Sequence, residues 1–202
     1  IGANLANLIG EKILVNEWVY RFFMRNFIFQ DQIQSMVVYG ARIGIACNAV
    51  HFIGAFMRLT DYLHCDIDHL SFQADTIYQT KRPGFLDICG KLSFNRGKSS
   101  FSMTSVDREE DGHIDLLIEY SSGKKIKSKL SRDAITIDDD LNFQTFQPYR
   151  VSIEMALVYE EFSTSKKTNL PTMIEAMSSQ EILLRALRTV SGWSHLDSLP
   201  IT

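Results

Sequence analysis

The stretch "VVYGARIGIACNAVHFIGAFMRLTDYL", Val37 to Leu63, decides how the rest of the chain is read. Its central part, Ile43 to Met57, is almost entirely apolar but shorter than the ~20 residues that cross a hydrocarbon core. Asn48 and His51 lie inside it, and Arg42 and Arg58 bracket it. A helix that is apolar on nearly all sides and too short for lipid is one that the protein's own structure surrounds. The expected surround is a sheet.

Downstream the hydrophobic period changes from helical to alternating. His69 to Gln79, Phe85 to Asn95, Lys98 to Asp107 and His113 to Ser122 each carry strand-type residues with partial period-two patterning. The turns between them, "KRPG" (Lys81 to Gly84), "NRGK" (Asn95 to Lys98) and "EEDG" (Glu109 to Gly112), have hairpin chemistry. One buried helix followed by consecutive antiparallel strands predicts an α+β fold, a curved antiparallel sheet around a central helix, with helical extensions at both ends. The predicted division is an aromatic-rich extension over residues 1–30, the sheet-and-helix domain over 31–130, and an extension over 131–202 with an amphipathic helix at about 172–191. Thr172 and Glu175 have capping-box spacing at the start of that helix.

Composition excludes the extremes. The 202 residues are 45% hydrophobic and 22% charged, with a formal net charge of −3, which is the mixture of an ordinary globular protein. The charge does not favour a nucleic-acid partner, and "GKKIKSK" (Gly123 to Lys129), the one dense basic run, reads as a solvated turn or strand edge, with a phosphate-binding patch as the alternative. Cys47, Cys65 and Cys89 have no metal or redox spacing and fit a reducing compartment. There is no phosphate-binding glycine loop, nucleophile elbow or histidine-cysteine metal spacing, so no cofactor and no metal is expected.

The order of elements, with the turn "YGARIGIACN", the strand "HLSFQADTIY", the "KRPG" turn and the hairpins from Leu92 to Tyr120, resembles the hotdog fold of the acyl-CoA thioesterases, in particular the phenylacetyl-CoA and 4-hydroxybenzoyl-CoA thioesterase-like branch. The resemblance covers Val37 to Ser122. It implies that Tyr39 stands at the family's histidine position, Gly40 at the glycine whose N–H polarises the thioester carbonyl, Asn48 where an aspartate is usual, and Ser71 at a water-positioning serine. Arg42, Lys81 and Arg82 would meet the CoA phosphates. An asparagine takes no proton at neutral pH, and Asp61 and Asp66 lie several turns from Gly40. His51, close to the face of Asn48, reads either as a hydrogen-bonded core residue or as a replacement base.

Two functions therefore stand open at this level. One is a thioesterase-like protein that has lost catalysis and serves as a structural or assembly subunit of a larger complex, with a mitochondrial respiratory or energy-converting assembly expected and the cytoplasm as the alternative location. The other is an active acyl-CoA thioesterase, or an acyl-chain or acyl-carrier binding module. The resemblance also implies a homodimer or heterodimer through the sheet. Trp18, Phe22, Phe23 and Phe27, with arginines among them, read either as a cover for one open face of the sheet or as protein-docking residues.

Overall fold

A computed structural model describes residues 31–60, 66–109, 113–131, 135–138, 143–146, 156, 158–161, 163–164, 170–190 and 193. Eight strands form one mixed sheet: β1 (Ile33–Ala41), β2 (Asp68–Gln79), β3 (Leu86–Arg96), β4 (Ser99–Val106), β5 (His113–Tyr120), β6 (Lys125–Ser131), β7 (Ile135–Asp138) and β8 (Phe143–Phe146). Of the helices, two have fully described bounds: α1 (Ile45–Leu59), between β1 and β2, and α2 (Met173–Leu187). The strand order is β2-β3-β4-β1-β5-β6-β7-β8.

The "KRPG" and "NRGK" turns join paired antiparallel strands, but "EEDG" does not form the expected hairpin, because β1 lies between β4 and β5. Gly84, Gly97 and Gly123 take positive φ in the turns, a backbone that a side chain resists. β2, β3 and β4 pair in sequence as antiparallel neighbours, and so do β5 to β8. Between these two meanders lies β1, antiparallel to β5 but parallel to β4, with Val38 opposite both Met103 and Leu116. Parallel neighbours need a long crossover, and here it consists of α1 with β2 and β3.

This arrangement overturns the hotdog expectation. The sheet does not curl around a single central helix. α1 lies on one face, over β3, β4 and β1, with α2 packed beside it. The all-round apolar character of α1 has a different cause from the one inferred: sheet residues meet one side of it and α2 another. Phe52, Ile53, Phe56 and Met57 of α1 are at most 3% exposed. Under them Phe56, Phe94 and Phe101 form a ring cluster with centroids 5.0–5.6 Å apart. Ile182, Leu183 and Leu187 of α2 join the same core. Strands β7 and β8 continue the sheet beyond residue 130.

α2 starts where its sequence says. The Thr172 hydroxyl accepts from the Glu175 N–H at 3.3 Å, and the Glu175 carboxylate accepts from the Thr172 N–H at 2.7 Å. Both halves of the capping box are made. Among the described residues no helix is long and apolar enough to cross a membrane.

Candidate functional site at the start of α1

The sequence offers no ordinary cap for α1. Its N-cap is Gly44, at φ 78°, which has no side chain to accept the first N–H groups. The acceptor comes from 41 residues downstream: the Asp87 carboxylate on β3 takes the Ala46 N–H at 2.9 Å and its own strand's Ile88 N–H at 2.8 Å. Asp87 is 5% exposed. Burial pushes its carboxyl above the ordinary aspartate value, against the opposing pull of the Ile88, Ala46 and Cys47 N–H groups. A negative group at a helix N-terminus is also favoured by the peptide dipoles.

Glycine at position 44 makes this contact possible. A Cβ there would lie 2.3 Å from Asp87 Oδ2 and 3.3 Å from Asn48 Nδ2. Asn48 donates that amide to the Ile43 carbonyl and so closes the turn from β1 into α1. Its neutral amide is suited to the place, because an aspartate would set a second carboxylate close to Asp87.

Four strands converge on this turn. Ile43 N–H donates to Ser105 Oγ at 3.1 Å, and the Ser105 hydroxyl lies 3.6 Å from Cys89 Sγ. Burial pushes the Cys89 thiol up. Arg42, at φ 43°, is held in that left-handed conformation by Asp107: Nε and Nη2 reach Oδ1 at 2.9 and 2.7 Å. Its guanidinium also stands 5.5 Å from the Tyr78 ring centroid. The Arg42 pair holds the Asp107 carboxyl below the usual aspartate value.

Along α1, Cys47, His51 and Gly54 follow one another at four and three residues, a single stripe, and all three are half-buried. This stripe carries the thiol and the imidazole of the helix, Cys47 and His51.

The thioesterase positions are not assembled. Tyr39 stands on the open face of the sheet, 37% exposed, with Arg108 5.8 Å from its ring centroid. Gly40 lies within β1, paired with Ser105 and Ile114, and does not start the helix. Ser71 is exposed on edge strand β2, and Asn48 serves the turn. Lys81 and Arg82 are exposed in the β2–β3 turn, and Arg42 is paired with Asp107. Trp18, Phe22, Phe23 and Phe27 lie outside the described residues. Asp87, the residue that organises the site, was missed. Two signals pointed to it: an acid inside the otherwise apolar strand "FLDICG", and a helix start, "GARIG", without any capping side chain. Among the described residues no group of three potential metal ligands occurs.

No family model matches this sequence, and no curated protein is significantly similar to it. Solved structures do share its fold. A UDP-N-acetylglucosamine 3-dehydrogenase from Acidithiobacillus ferrooxidans superposes with a TM-score of 0.54 at 10% identity, over 92% of this chain and 64% of its own. A Gfo/Idh/MocA family oxidoreductase from Vibrio cholerae gives 0.52 at 13% identity, over 92% and 64%. A 3-ketoreductase from Actinomadura kijaniata, in complex with TDP-benzene and NADP, gives 0.53 at 10%, over 92% and 63%. The chain thus spans less than two thirds of the length of these three structures. The thioesterase resemblance is corrected accordingly, together with the functions drawn from it: the described sheet, with α1 and α2 on one face, shares the fold of dehydrogenases of the Gfo/Idh/MocA type.

Proposed function

We propose that this chain supplies the substrate-facing sheet domain of an oxidoreductase acting on a hydroxyl or carbonyl group of a sugar-like compound. The observation that carries the reading is the extent of the likeness: 92% of the chain follows the fold of proteins named as a sugar-nucleotide dehydrogenase and a ketoreductase. The chemistry of the α1 stripe supports it. Interconverting an alcohol and a ketone requires a group that takes the hydroxyl proton and returns it in reverse, a role open to an imidazole. His51 has that role, on a helix whose position is fixed by Asp87.

The start of α1 does not fit a dinucleotide. A pyrophosphate at a helix N-terminus needs free N–H groups and a positive field, and at α1 the Asp87 carboxylate already takes the Ala46 N–H. The start of α1 is therefore not a pyrophosphate site.

Calorimetric titration of the chain with UDP-N-acetylglucosamine and separately with NADP tests the proposal. The sugar nucleotide is expected to bind, His51→Gln to weaken it by about tenfold through loss of one hydrogen bond, and NADP not to bind. Binding of NADP in preference to the sugar nucleotide, or binding unaffected by His51→Gln, overturns it.

A further inference from the structure

The turn between β2 and β3 presents Lys81 and Arg82 to solvent, and among the described residues neither enters a salt bridge. We propose that this turn holds the diphosphate of the substrate, a nucleoside-diphosphate sugar, through those two side chains. The site rests on the sugar-directed reading given above and names the place of the ligand's charged part.

The turn is stiff before any ligand arrives. Thr80 N–H donates to the Phe85 carbonyl at 3.0 Å, and Phe85 N–H donates to the Arg82 carbonyl at 3.2 Å. The Thr80 hydroxyl accepts from the Arg82 N–H and donates to the Arg82 carbonyl, both at 3.2 Å. Between Arg82 and Phe85, Pro83 has its φ fixed by the ring and Gly84 takes 86°, the pattern of a type II turn. Both backbone groups of Arg82 are thus held while its guanidinium projects into solvent, which lowers the ordering cost of association.

The acids that reach this end of the sheet are already engaged. Asp107 is bonded to Arg42, whose guanidinium lies by Tyr78, and Tyr78 stands opposite Asp87. Asp87 is 5% exposed and serves the helix N–H groups. The field of the turn is therefore positive. Arginine and lysine are the side chains that recognise phosphate, the first by a bidentate fork and the second as a point charge.

Placement links the turn to the α1 stripe. Asp87, which holds the start of α1, follows Phe85 by two residues. α1 runs alongside β3 in the same direction, since Arg96 at the far end of β3 donates to Thr60 just past the far end of α1. From Ala46 to His51 is about 7.5 Å along the helix, and from Asp87 back to Phe85 is about 7 Å along the strand in the opposite sense. His51 and the turn thus stand ~15 Å apart. An extended lysine or arginine covers part of that span, and a hexose joined to a diphosphate covers the rest. The start of α1 between them is closed to phosphate by Asp87, so the diphosphate lies beyond it, on the cations.

Isothermal titration of the full chain with UDP and, separately, with UDP-N-acetylglucosamine is the test, using the unmodified protein, Lys81→Gln, Arg82→Gln, their double variant and Lys91→Gln. Lys91 is an exposed lysine farther along β3 and controls for net charge. Both ligands are expected to bind the unmodified chain. Each turn variant should weaken both ligands about fivefold, and the double variant by more than about tenfold, with Lys91→Gln unchanged. The loss should shrink as salt is raised, because exposed charges are screened. These side chains are solvent-exposed, and circular dichroism verifies the fold of each variant. His51→Gln should weaken the sugar nucleotide and leave UDP unaffected, so the sugar and the diphosphate are read apart. Failure of UDP to bind, UDP binding indifferent to both turn variants, or an equal loss in Lys91→Gln overturns the diphosphate site, whatever the sugar does. Turn variants that weaken UDP while His51→Gln changes neither ligand leave the diphosphate site standing and remove the role of His51.

Discussion

Substituting Gly44 by alanine tests whether Asp87 caps α1. The added methyl would stand 2.3 Å from Asp87 Oδ2 and 3.1 Å from Cγ, at a residue whose φ is 78°. Holding an alanine in the left-handed region costs about 1–2 kcal/mol. Relief of the clash requires the carboxylate to retreat from the Ala46 and Ile88 N–H groups, and weakening two bonds to a charged acceptor costs a further 2–3 kcal/mol or so. The sum, about 3–5 kcal/mol, corresponds to a fall in Tm of roughly 10 °C for a chain of this size. Gly84→Ala is the internal control: φ is 86° there, but nothing lies within 4 Å of the added Cβ. Its cost should be the backbone part alone, about 1–2 kcal/mol. Urea denaturation of both variants gives the two values. In a cycle with Asp87→Asn, the Gly44→Ala cost should also shrink, because both substitutions act on one contact. Equal costs for Gly44→Ala and Gly84→Ala, or strict additivity with Asp87→Asn, would refute the capping role.

The pH dependence of stability should show two aspartates with opposite signs. Asp87 has a raised carboxyl, so its contribution is present below the unfolded aspartate value and is lost as pH rises through the folded one; Asp87→Asn should flatten the stability profile just above pH ~4. Asp107 has a lowered carboxyl, so the contribution of its pair with Arg42 is present above the unfolded value and disappears as pH falls, and Asp107→Asn should converge with the unmodified chain in acid. Chemical denaturation at a series of pH values separates them. Thr172→Ala removes the hydroxyl side of the α2 capping box and should cost about 1 kcal/mol by the same assay. Asn48→Asp takes away the amide donor to Ile43 and adds a carboxylate near Asp87; it should destabilise the fold by about 1–3 kcal/mol and confer no thioester hydrolysis, measured with acyl-CoA substrates.

Local features of this chain were legible before the structure. Gly84 and Gly97 punctuate hairpins whose residues are neighbours in sequence, and Thr172 with Glu175 announces α2 within a single turn. What was not legible is non-local. Nothing in "MVVYGA" tells whether β1 will lie at an edge or between two meanders, since the same alternation serves either place. Its pairing with β4 links Val38 to Met103 across 65 residues. The apolar surround of α1 was read correctly as burial, but burial does not say by what. Asp87 acts over 41 residues, so no local window could join it to the uncapped helix start. The catalytic reading failed for a related reason: Tyr39, Asn48 and Ser71 match a motif in order along the chain, yet β1 and β2 present Tyr39 and Ser71 on the open face while Asn48 closes the turn on the other side.

The site at the start of α1 and the likeness to dehydrogenases both depend on β1 lying parallel to β4 and antiparallel to β5. The most direct measurement is the pattern of backbone nuclear Overhauser effects from β1. Parallel-type contacts between Val38 and Met103 should appear together with antiparallel contacts between Val38 and Leu116. A β1 with contacts to one neighbour only, or antiparallel contacts to β4, would contradict the fold and everything built on it.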